Sequence, residues 1–164
     1  MANKMKQTVE HIIHTNELSE TINGEEIMGS SPFKKHQKVV SNIYFEIRKF
    51  LEKQKIGEIF LSPLDVIFEE NVNRLQPDLI YINNENMTIA QDWIRGIPDA
   101  VIEIVSKGNF THDTVIKRNV YEKYKVPEMW LVFPEEECIE IFVIENDRYE
   151  LYSSAELTGN VSSK

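Results

Sequence analysis

An α/β fold follows from three stretches of the chain. Ala100 to Val105 is apolar or β-branched except at Glu103, the pattern of a strand covered on both faces. Thr111 to Lys125 repeats with helical spacing, and Met129 to Phe133 is again strand-like and stops at Pro134. A strand, helix, strand order of this kind makes a crossover that sets the two strands parallel. Glu103 is the anomaly. An ionised carboxylate buried without a partner is costly, so this strand predicts a lysine, an arginine or a metal ion beside it.

Composition bounds the rest. The 164 residues are 41% hydrophobic, enough for one domain with a real core. Cys138 is the only cysteine, which excludes a disulfide framework or a cysteine-based zinc cluster within the chain and fits an intracellular setting. The first residues lack an apolar run and no segment reaches membrane-spanning length, so a soluble, cytoplasmic protein with no membrane partner is expected. A net charge of −9 argues against a non-specific nucleic-acid coat. Any contact with DNA must then use a local patch or metal ions. No internal repeat, Walker loop, dinucleotide fingerprint or nucleophile elbow is present.

In chain order, residues 1–20 are expected to form an N-terminal extension, in which His11 and His14 read as surface groups. Ile22 to Met28 holds an Asn-Gly turn signal and predicts a small hairpin closed by Ser30-Ser31-Pro32. From Phe33 to about Lys53, Val39, Val40, Ile43, Tyr44, Ile47, Phe50 and Leu51 recur at helical spacing, with Ser30 or Ser31 available as cap. The opposite face carries Lys34, Lys35, Lys38, Arg48, Lys49 and Lys53, by default a solvated face. Ile59 to Phe68 predicts one strand with an edge or bulge at Pro63, and Leu75 to Ile82 a second with Asp78 at its entrance. Asn83 to Trp93 reads as a loop, and Asp99 as a structural residue opening the central strand.

Thr111 can cap the next helix, where Asp113, Lys117, Tyr121 and Lys125 form one stripe and Val115, Val120 and Tyr124 point toward the core. Cys138 to Val143 and Arg148 to Tyr152 predict a hairpin around Glu145-Asn146-Asp147, with Trp130 and Cys138 as packing residues. Residues 154–164 are expected to form a loosely ordered tail after a domain spanning 21–153.

Asp78 and Glu103 on adjacent strands could share Mg2+, which favours carboxylate oxygens and keeps waters for substrate, while Lys117 supplies positive charge. Taken singly, each has a plain alternative: a turn residue, an ion-pair partner and an exposed helical lysine. The order of motifs weighs against those alternatives. Ile22-Asn23-Gly24-Glu25, His36, Gln76-Pro77-Asp78, Gly96 to Ser106, Asp113-x3-Lys117-x3-Tyr121 and Val126 to Val132 together resemble the Uma-two family of restriction endonucleases, part of the PD-(D/E)XK nuclease superfamily. The resemblance runs from about Glu20 to Tyr152.

That resemblance implies a restriction-endonuclease-like mixed central β-sheet flanked by helices, with additional β-hairpins, and a metal-dependent endodeoxyribonuclease using Mg2+, for which Mn2+ can substitute. It places Asp78 and Glu103 as catalytic metal-binding acids. The superfamily lysine usually stands two residues after the acid, but that position is Val105 here, so the resemblance points to Lys117 as a migrated replacement and to Lys107 as a second candidate. His36, Glu46, Asp113 and Tyr121 are possible accessory residues. DNA is the implied partner, and a homodimer would cut two strands with two sites. The alternative is a catalytically silent nuclease-fold module that binds nucleic acid or a protein partner; a purely structural protein would not need Glu103.

Overall fold

The structure, a computed structural model, describes residues 18–29, 31–156 and 162–163. His11, His14 and Ser30 lie outside the described residues. Strands β1 (Ser19–Ile22) and β2 (Glu25–Met28) form the expected hairpin, and Asn23 and Gly24 both take the positive φ its two-residue turn requires. Ser19 and Glu20, expected in the extension, thus belong to a sheet. Helix α1 (Lys34–Gln54) keeps the predicted apolar spacing, burying Val40 and Leu51. Its N-cap is Phe33 with no side-chain hydrogen bond, where a serine was expected.

Two expected strands each divide at a proline. Residues 59–68 become β3 (Gly57–Leu61) and β4 (Val66–Glu69), which lie in different sheets on either side of Pro63. Residues 75–82 become β5 (Asn73–Leu75) and β6 (Leu79–Asn83), separated at Pro77. Proline offers no N–H to a ladder, so pairing stops there and the chain is free to change sheet. The second break leaves Asp78 at the mouth of β6.

The rest follows as β7 (Ile94–Arg95), β8 (Ala100–Ile104), a wide π-type turn at His112–Lys117 leading into α2 (Arg118–Lys123), β9 (Glu128–Phe133), β10 (Cys138–Glu145) and β11 (Arg148–Glu156). Thr111 makes no side-chain cap, and Val115, expected in the core, is exposed. The broad π turn advances the side chains differently from an α-helix and leaves Val115 outside. Strand β11 continues through residues 154–156 of the expected tail.

The central sheet has the order β11-β10-β9-β8-β6-β3 and is mixed: β8 and β9 run parallel, as the crossover requires, and the other neighbours antiparallel. A second mixed sheet, β2-β1-β5-β4-β7, was legible in sequence only as a hairpin. Helix α1 covers one face of the central sheet through Leu79, Ile102, Ile104 and Val132. On the other face, Val101, Val105, Met129 and Leu131 pack with Val120 and Tyr121 of α2 and with Ile22 and Leu75 of the second sheet. Strand alternation therefore turns Glu103, between Val101 and Val105, into the layer shared by α2 and the second sheet. Each fully buried aliphatic side chain in these layers contributes about 1.5–3 kcal/mol. No helix among the described residues is long and apolar enough to cross a membrane.

Candidate active site

Register brings the first two acids together. Leu79 pairs with Ile102 across β6 and β8, so one step further Asp78 comes opposite Glu103. Asp78 Oδ2 accepts the backbone N–H of Ile104 at 2.8 Å and lies 3.2 Å from Nε2 of His36, at the start of α1. Glu103 is 1% exposed, and both of its oxygens are engaged. Lys117 donates to Oε2 at 3.1 Å and the Tyr121 hydroxyl to Oε1 at 2.5 Å. Asp113, one turn before Lys117, holds Oδ1 3.9 Å from its ammonium. Asp78, Glu103, Lys117, His36, Asp113 and Tyr121 thus converge on one cluster.

The cluster also contains two residues that sequence reasoning missed. Glu20 Oε1 lies 3.1 Å from Lys117 Nζ and accepts the Gln76 backbone N–H at 2.8 Å, while its Oε2 is 2.8 Å from His112 Nε2. Glu20 shares strand parity with Ile22, which is buried, so an acid on the inward side of the first hairpin was the available signal. His112 offered none beyond its place next to Asp113. Two other expected residues stay outside the cluster. Glu46 is exposed on the solvent side of α1, and Lys107, with a side chain 80% exposed, lies 3.6 Å from Glu135. Lys107 falls beyond the end of β8, so the strand does not carry its side chain toward Glu103.

Burial and charge set the protonation pattern. Burial alone would lower the Lys117 ammonium, but the carboxylates of Glu103, Glu20, Asp113 and Asp78 outweigh it and hold the lysine charged. Burial pushes the Glu103 carboxyl well above its usual range; Lys117 pulls against this, and Asp78, Asp113 and Glu20 add to it. Asp113 is pushed up to about 6, chiefly by burial, with Lys117 opposing and Asp78 reinforcing. Glu20 goes the other way, down to about 2, because Lys117, His112 and the Gln76 N–H overcome the penalty of burial. His36 is raised despite burial by its bond to Asp78. Tyr121 is held far above the normal phenol range by burial and by Glu103.

The donors suit a hard cation. Asp78 Oδ2 is occupied, but Oδ1 has no hydrogen bond among the described residues, and the buried Nδ1 of His36 has no partner. No group of three or more His, Cys, Asp or Glu side chains is arranged to enclose an ion among the described residues. Two carboxylates with water completing the shell is the coordination that Mg2+ tolerates and a dedicated protein cage is not.

Comparison with known proteins gives one family and a fold. A family model described as "Uma2: Putative restriction endonuclease" matches residues 7–164. No curated protein matches. A crystal structure described as "a putative nuclease belonging to DUF820 from Anabaena variabilis ATCC 29413" superposes with a TM-score of 0.67 at 22% identity, covering 82% of this chain and 75% of the other. That likeness shows a shared fold.

Proposed function

The chain belongs to the Uma2 family, and on that footing we propose that it is a Mg2+-dependent DNA endonuclease whose metal is held by Asp78 and Glu103. Lys117 carries the assignment, because its ammonium lies 3.1 Å from Glu103 Oε2 on a face where β8 and the residue after it offer only Val101 and Val105 beside the acid.

When bound, a divalent ion supplies a water of lowered pKa and a positive charge beside the scissile phosphate. The chain does the rest. Asp78 is held through Oδ2 by the Ile104 N–H and His36, and its Oδ1 would be the oxygen open to an ion. Tyr121 and Lys117, one on each oxygen, hold the Glu103 carboxylate in one orientation. Lys117, held between Glu103 and Glu20, is a preorganised cation for the charge that builds on phosphate during displacement. His36, bonded to Asp78, would add a second positive group to the site when its ring is protonated. A second copy of the chain would provide one such site for each strand of a duplex.

Plasmid, linear duplex and single-stranded DNA incubated with Mg2+ or Mn2+ test the proposal. Wild type should cleave at least one form, chelator should stop it, and Asp78→Asn should be inactive. Cleavage by Asp78→Asn at the wild-type rate would overturn the metal assignment. The silent nuclease-fold module is favoured by one feature, the engagement of both Glu103 oxygens by protein donors. Binding of DNA without cleavage of any form would select it.

A further inference from the structure

Helix α1 shows a second face that folding does not explain. Val40, Ile47 and Leu51 pack on the sheet, while Lys34, Lys38, Phe45 and Lys49 recur at four-, seven- and four-residue intervals on the solvent side. Phe45 is 62% exposed and points away from the core. A single exposed phenylalanine is ordinary, but this one sits between lysines that have no ion pair among the described residues. Of the lysines and arginines on this helix, only Lys35 and Arg48 are paired among the described residues, with Glu135 and Glu52. The chain carries −9 overall, so a concentration of free positive charge on one helix face stands out against an acidic background. The stripe from Lys34 to Lys49 extends about 22 Å along the helix. His36, two residues after Lys34, projects from the opposite side of the helix toward the sheet, 3.2 Å from Asp78.

We propose that this face docks single-stranded DNA, with Lys34, Lys38 and Lys49 meeting phosphates and Phe45 stacking on an unpaired base. The identity of the strand as DNA rests on the endonuclease reading. Lysines spaced by helical turns neutralise a phosphate backbone, and an aromatic ring among them adds stacking that duplex DNA, with its bases already stacked, cannot use. Charge alone would favour the duplex, which has the higher charge density. The exposed ring is what selects the single strand.

Fluorescence anisotropy of a labelled oligothymidylate and of a duplex of equal length, with the full chain in chelator to prevent cleavage, decides the matter. Wild type should bind the single strand more tightly than the duplex. Phe45→Ala should weaken single-strand binding about tenfold, as expected for loss of one stacked base, and Phe45→Trp should restore it. Replacing Lys34, Lys38 and Lys49 by alanine should reduce the slope of log affinity against log salt by about 2. All these side chains are exposed, so unchanged thermal midpoints should confirm that the variants fold. Equal binding by Phe45→Ala and wild type, a preference for duplex, or no binding overturns the proposal. So does loss of self-association in Phe45→Ala by light scattering, which would make the face a protein interface. Tight, Phe45-dependent binding without cleavage under any metal would sink the endonuclease reading alone. Normal cleavage with Phe45-independent binding would sink this inference alone.

Discussion

Lys117 comes fourteen residues after Glu103, yet its ammonium lies 3.1 Å from Glu103 Oε2. Residue 105, which strand alternation places on the same face as Glu103, is a buried valine. The cation therefore arrives from the π turn before α2, and it arrives already paired with Glu20. A charge held from two sides moves little when substrate enters.

Catalysis should depend on Lys117 and not on Lys107. In a Mn2+-supported DNA cleavage assay, Lys117→Ala should lower the chemical rate by about two to three orders of magnitude, the scale for losing one preorganised electrostatic group. Lys107→Ala should cleave like wild type, because its partner is Glu135 at the surface. A larger loss for Lys107→Ala would reverse the assignment.

Removing Lys117 should also cost stability, since it strands a buried carboxyl. Lys117→Met should lower the unfolding free energy by about 3–5 kcal/mol in urea titration, and adding Glu103→Gln should recover part of the loss. If the double variant is less stable than Lys117→Met, the two groups are not a compensating pair.

A divalent ion should relieve repulsion among Asp78, Glu103 and Asp113 and stabilise the folded state. Mg2+ or Mn2+ should raise the thermal midpoint of wild type in a concentration-dependent way. The rise should shrink in Asp78→Asn and in Glu103→Gln. An undiminished rise in both variants would locate the ion elsewhere.

Glu20 and Asp113 should give pH effects of opposite sign. Glu20 is held down to about 2 from an ordinary value near 4.5, so its contribution to stability is complete above that ordinary value and disappears as pH falls through about 2. The deficit of Glu20→Gln should therefore be about 3 kcal/mol at neutral pH and shrink below about pH 4. Asp113 is held up to about 6, so it favours folding at low pH and loses that contribution as pH rises through about 6. Asp113→Asn should be more stable than wild type above that pH. Parallel curves for wild type and both variants across the whole range would contradict these environments.

The sequence by itself determined the parts whose signal is local. The apolar period of α1, the two-faced apolar run of β8, the Asn23-Gly24 turn and the Asp113-Lys117-Tyr121 stripe are each written within a few turns or one strand length, and all stand in the structure. Asp78, Glu103 and Lys117 were legible because an acid at or inside an apolar strand is conspicuous, and because motif order tied them together. Tertiary structure alone decided which strands changed sheet at Pro63 and Pro77, and which charges met. Glu20 reaches Lys117 only because β1 joins β5 in the second sheet and that sheet packs beside α2. Glu46 and Lys107 carry suitable chemistry but face solvent. Local spacing fixes the face a side chain takes on its own element. The partner across the gap is set by register and packing between segments far apart in the chain, which no single window of sequence contains.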